Sequence, residues 1–225
     1  MSRGVAVEQF TPVLRSQELR DTWSASESDL VVLYVGRLAK EKNVGVVLSA
    51  FSAIQARVPC AKLVFVGDGP LRDVLKVACP QAIFVGVKTG KALAAHYASS
   101  DLFLFPSLTE TFGNVVPEAL ASGLAVLSYD KAAAADLITH DHNGALAPPG
   151  EELEFINIAV ALAVDPVKMN ALRQQAAASV AHMNWTTVYN TFVNTLRAVI
   201  ERHDSQFRLV RTNALPEAQV KQPNA

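Results

Sequence analysis

Cysteine is nearly absent: Cys60 and Cys79 are the only two among 225 residues. Neither has a partner at metal-ligand spacing, so no disulfide framework is expected and both read as reduced thiols. No Asp-x-Asp pair and no His/Cys cluster occurs, so no metal site is expected. Charge of one sign is missing too. The net charge is -1, 18% of residues are charged, and no long basic or acidic block appears. Nucleic acid is therefore not an expected partner, because phosphate-backbone binding needs clustered Lys and Arg. The opening MSRGVAVEQF holds no apolar leader core, and no apolar run approaches membrane-spanning length. No internal repeat is present. No Gly-x-Gly-x-x-Gly follows the first apolar run; Gly67-Asp68-Gly69-Pro70 follows the second and lacks the third glycine. That argues against an NAD-binding domain.

What the chain does have is apolar side chains. Half its residues are hydrophobic, enough for a sizeable core in one large domain or two small ones. Apolar runs at 30–36, 62–67, 82–86, 102–105, 124–129 and 145–147 read as strands. Helical patterns separate them at 44–58, 71–78, 90–99, 114–122 and 132–138. Continuous apolar strands alternating with helices imply a parallel sheet covered on both faces. The expected fold class is therefore α/β, a doubly wound, Rossmann-like sheet. Beyond Gly150 the pattern turns helical, at 151–164, 167–181 and 185–203, the last with a stripe of Val188, Phe192, Leu196 and Ile200.

In such a sheet, ligands bind beyond the carboxyl ends of the strands where strand order reverses, between the first and fourth strands for the usual order 3-2-1-4-5-6. The first strand ends in Gly36 and Arg37, with Lys42 close behind. The fourth leads through Glu110, Thr111, Phe112 and Gly113 into a helix starting near Asn114 and Val115. A helix N-terminus presents free amides and a positive dipole end, so the Gly113, Asn114 and Val115 amides suit a phosphate. Arg37 and Lys42 face the same phosphates, by fork and by point charge. Glu118, one turn into the helix, suits ribose hydroxyls, and Glu110 suits hydroxyls at the ligand's other end. Each residue alone has an ordinary reading: a solvated cation, a surface glutamate, a turn glycine. Their meeting at one switch point favours a nucleotide diphosphate sugar.

The same pieces resemble glycosyltransferase family 4. The resemblance rests on Glu110 and Glu118 separated by seven residues, and on Gly36-Arg37 with Glu41-Lys42. Val66 to Pro70, Phe84 to Gly86, Tyr97 to Asp101 and Glu118 to Gly123 add to it. The look is that of bacterial GDP-mannose-dependent mannosyltransferases and related glucosyltransferases of glycolipid synthesis. It implies the C-terminal donor domain of a retaining, two-Rossmann-domain (GT-B) enzyme that needs no metal or other cofactor. By resemblance Arg37 and Lys42 hold the diphosphate and stabilise the leaving group, with Glu110 as the third catalytic residue, on the donor sugar. The backbone of Phe112 to Val115 touches sugar and phosphate, Glu118 the ribose, and Gly86, Val87 and Lys88 the base. Expected partners are a nucleotide sugar and a glycolipid or glycan acceptor, in the cytoplasm or at the inner face of a membrane through the acceptor domain. Residues 1–28 are expected to be linker and the last stretch of that acceptor domain, 29–203 the donor domain, and 204–225 a tail without regular structure. No histidine matches the family's catalytic one; His96, His140, His142, His182 and His203 read as surface or packing residues. The alternatives are a module that binds nucleotide sugar without transfer, and a relative of the sugar-nucleotide epimerases.

Overall fold

A computed structural model describes residues 4–110 and 113–213, with 203–213 by backbone alone. Thr111 and Phe112, and residues 214–225 of the expected tail, lie outside the described residues. The described strands are β1 (Val31–Val35), β2 (Lys62–Val66), β3 (Ile83–Gly86), β4 (Leu102–Phe105), β5 (Ala125–Tyr129) and β6 (Ala145–Ala147). The helices are α1 (Gln17–Asp21), α2 (Val44–Gln55), α3 (Arg72–Ala78), α4 (Gly90–Ala98), α5 (Val115–Ala121), α6 (Ala133–Leu137), α7 (Glu152–Val164), α8 (Pro166–Val180) and α9 (Trp185–Asn213). The chain divides into two units, residues 1–184 and 185–225.

In the first unit the strands form one parallel sheet in the order β3-β2-β1-β4-β5-β6. Every residue of β1, β4 and β5 is buried. A parallel strand flanked by helices on both faces has no wet side, so its text runs apolar without alternation. β1 pairs on one side with β2, Leu33 against Val64, and on the other with β4, Leu33 against Phe103. Strand order reverses here, so the loops leaving β1 and β4 are neighbours at the carboxyl edge. α2 packs on α7 over one part of the sheet, and α5 on α8 over another. Rings fill the centre: Phe65 stacks on Phe84 at 4.9 Å, and Phe103 on Phe105 at 5.7 Å.

Residues 5–28, within the 1–28 segment expected to be linker and the last stretch of the acceptor domain, pack onto this unit. Val5, Phe10, Trp23 and Ala25 are buried in the same core, and the Val5 amide donates to the Met183 carbonyl. Arg20 is completely buried. It donates to Asp101 Oδ2 at 3.1 Å and to the carbonyls of Ser99, Ser26 and Asp29. Arg15 and Arg173 reach Asp101 Oδ1 at 2.9 and 3.2 Å. Three guanidinium groups thus converge on one carboxylate at the amino edge of the sheet, far along the strands from the carboxyl-edge loops.

The second unit is α9. It continues past His203 to Asn213, so 204–213 is helical and the expectation of a structureless tail fails there. In the sequence, Phe207 and Val210 extend the apolar spacing of the upstream stripe. Trp185, Tyr189, Phe192, Leu196, Val199 and Ile200 are exposed along it.

Candidate functional site

The loop after β1 is shaped by close packing. Gly67 has φ +135°, and a Cβ there would sit 1.9 Å from the Gly36 carbonyl oxygen. Only glycine lets the β1 and β2 exits approach so closely. The Tyr34 hydroxyl donates to the Arg37 carbonyl at 3.1 Å from beneath the loop. Burial pushes that phenol's pKa up, with the Glu110 and Glu41 charges adding to the rise. A short helical turn at Lys40–Lys42 follows, ending at Asn43 in a left-handed conformation with φ 54°. This turn aims Lys42 toward the β4 exit.

Lys42 Nζ forms an ion pair with Glu110 Oε1, and both side chains are mostly buried. Ser107 Oγ donates to the same oxygen at 3.0 Å. Thr109 Oγ1 donates to the Glu41 carbonyl at 2.8 Å, a second tie between the two loops. The sequence places these loops together, and the structure does so. It also shows what the sequence reading missed: both cations are already compensated. Arg37 is 66% exposed and pairs with Glu41 at 3.2 Å. Arg37 and Lys42 therefore meet a ligand as cation–carboxylate pairs, while Lys40 in the same loop is exposed. Ser107 and Thr109 were also missed. Their signal was modest, two hydroxyls just before a turn.

Gly113 has φ +82° and lies against Glu110, its notional Cβ 3.5 Å from Glu110 Cγ. α5 begins two residues later. The Val116 amide donates to the Gly113 carbonyl and the Glu118 amide to Asn114's. The amides of Gly113, Asn114 and Val115 precede the first of these helical bonds, as the first amides of any helix do. Pro117 fits in this first turn, where its missing N–H costs little.

Glu118 is half-buried, and the buried Tyr97 hydroxyl of α4 donates to its Oε2 at 3.1 Å. Burial pushes the Glu118 carboxyl from 4.5 up to about 7, against a downward pull from the Tyr97 bond. Burial drives the Tyr97 phenol well above its ordinary value, reinforced by the Glu118 charge. One carboxylate oxygen is thus held from below. Tyr97 entered the sequence reading only as part of a family motif, because helical spacing marks it as core and says nothing of its hydroxyl.

The third loop also arrives. Val35, Gly36, Arg37, Gly67, Asp68, Val87 and Lys88 line a cleft of about 300 Å³ at the carboxyl edge. Val87 is 67% exposed at its mouth. Gly86 has φ +73° at the end of β3 and turns the chain toward it. Among the described residues, no three His, Cys, Asp or Glu side chains gather closely enough to hold a metal ion. His96 is a packing residue: burial lowers its pKa, its Nδ1 lies 2.6 Å from the Ala92 carbonyl, and its ring tilts on Trp23. Among the described residues, no single helix is long and apolar enough to cross a membrane.

Comparison with known proteins bears on this edge. The family described as glycosyl transferases group 1 matches residues 29–165. The GDP-mannose-dependent alpha-mannosyltransferase of Mycobacterium tuberculosis is 40% identical over 207 residues, covering 91% of this chain and 52% of that protein. The chain spans about half the length of this relative. The fold is shared with Anabaena HepE in complex with UDP, at a TM-score of 0.74 and 24% identity, covering 87% of this chain and 56% of that one. It is shared as well with the C-terminal domain of LpcC, a glycosyl transferase group 1 family protein from Francisella tularensis. There the TM-score is 0.67 and the identity 22%, over 79% of this chain and 97% of that domain. With the switch-point loops, the paired cations and the two glutamates in place along the matched residues, the chain belongs to the glycosyl transferases group 1 family.

Proposed function

We propose that this chain is the donor-binding part of a retaining hexosyltransferase that uses a nucleotide diphosphate sugar, with GDP-mannose the leading donor. One observation carries the reading. Arg37, Lys42, Glu110 and the Gly113 turn meet at the sheet's switch point, with Glu118 one helical turn beyond. The diphosphate lies between the Arg37–Lys42 loop and the amides before α5. Glu118 accepts from the ribose, Glu110 from the sugar, and the Gly86 to Lys88 loop borders the base. In transfer, the sugar's bond to the β-phosphate breaks and a bond to an acceptor hydroxyl forms. The acceptor proton leaves with the nucleoside diphosphate. Arg37 and Lys42 stabilise charge growing on that leaving group, without a resident metal. The relative's name supports GDP-mannose. The acceptor in this reading is a glycolipid or glycan, and the site of action is the cytoplasm or the inner face of a membrane.

A second reading, binding without transfer by the chain alone, is favoured by the open side of the site. Arg37 and Val87 are two-thirds exposed, and charge interactions weaken where water reaches them. Titration calorimetry with GDP, UDP and their sugars, beside a transfer assay, separates the readings. The expected result is binding in the high-micromolar to millimolar range, about -4 to -6 kcal/mol, with little transfer. Arg37→Ala is expected to weaken diphosphate binding about tenfold, the scale of one charged hydrogen bond. Binding indifferent to Arg37, Lys42 and Glu118 refutes the site, and robust transfer refutes the second reading.

A further inference from the structure

Lys42 and Glu110, assigned to different parts of one ligand, are bonded to each other. Their side chains are 20% and 16% exposed, so the pair is shielded from solvent. Ser107 holds the same carboxylate oxygen, and the Thr109 bond to Glu41 holds the loops at this spacing. Arg37, Glu41, Lys42 and Glu110 together carry no net formal charge. A diphosphate arriving alone therefore meets a lysine already taken, beside a carboxylate that repels it. A nucleotide sugar brings hydroxyl donors that give Glu110 new partners and leave the Lys42 ammonium for phosphate.

Resting on the donor-site reading above, we infer that Glu110 is a specificity-determining residue. It withholds Lys42 from a bare nucleoside diphosphate and releases it to a nucleotide sugar. Sugar and diphosphate recognition are thereby coupled through one ion pair. After transfer the nucleoside diphosphate has lost the sugar, Glu110 retakes Lys42, and the product leaves.

The test uses titration calorimetry on the whole chain with GDP, UDP, their sugar forms and inorganic pyrophosphate. Glu110→Gln removes the charge and keeps the shape. It is expected to tighten bare diphosphate and pyrophosphate binding about threefold to tenfold, the scale of one screened charge nearby. The preference for the sugar form shrinks in the same variant. Ser107→Ala, which loosens Glu110 without removing it, is expected to move both in the same direction by less. In a Lys42→Ala background the gain from Glu110→Gln is expected to be smaller, because no cation is held back. An equal gain there leaves Glu110 a simple repelling charge and overturns the withholding. Diphosphate binding that Glu110→Gln leaves unchanged or weakens overturns this inference alone. Absence of binding by every nucleotide overturns the donor-site reading, and this inference with it.

Discussion

Glu118 is expected to make both folding and nucleotide binding depend on pH. Burial raises its carboxyl from 4.5 to about 7 in the folded chain. Below the ordinary value it is protonated whether folded or not. Between about 4.5 and about 7 the folded chain holds a proton that the unfolded chain has given up. Stability therefore falls as pH rises through that window, and stays at the lower level above it. A difference of about 2.5 between the two values is worth roughly 3 kcal/mol at most, less whatever solvent at the half-buried carboxylate restores. Urea unfolding at about pH 5 and about pH 8, for the parent and for Glu118→Gln, isolates this contribution. The variant, neutral at both, is expected to lose much of the parent's fall in stability and to be the more stable of the two at the higher pH. Binding runs the other way. Ribose hydroxyls need an acceptor, so nucleoside diphosphate affinity is expected to rise as Glu118 ionises, beyond the phosphate's own titration, and Glu118→Gln to abolish that extra rise. If parent and variant show the same pH slope in unfolding, the burial argument is wrong. If they show it in binding, Glu118 does not touch the ligand.

Tyr97→Phe removes the one bond that pulls the Glu118 pKa down, so the pH transition in nucleotide binding is expected to move upward; an unmoved profile makes Tyr97 merely a core residue. Arg20→Met strips a fully buried partner from Asp101 and from three carbonyls, and urea unfolding is expected to show a loss of about 3–5 kcal/mol. A loss under about 1 kcal/mol would mean that Arg15 and Arg173 compensate. Gly67→Ala drives a Cβ into the Gly36 carbonyl, with an expected cost of at least about 2 kcal/mol and weakened diphosphate binding, since the Arg37 loop has to shift.

The sequence alone determined the sheet. Buried parallel strands must be apolar throughout, so the runs at 30–36, 102–105 and 124–129 announced β1, β4 and β5 within a residue at each end. With βαβ units of one hand, strand order follows almost from the count, and the switch point follows from the order. That is why Gly36, Arg37, Lys42, Glu110, Gly113 and Glu118 were legible as one cluster before any coordinates. Tertiary structure alone decided which polar groups meet. Lys42 finds Glu110 across 68 residues, Tyr97 finds Glu118 across 21, and Arg20 finds Asp101 across 81. Periodicity records which side of an element is buried, and all three contacts sit where two elements' loops or flanks converge. The same limit hid the N-terminal segment. Phe10, Arg20 and Trp23 are too widely spaced to show a pattern, and they become core only because Asp101 and the α4 face are there to receive them.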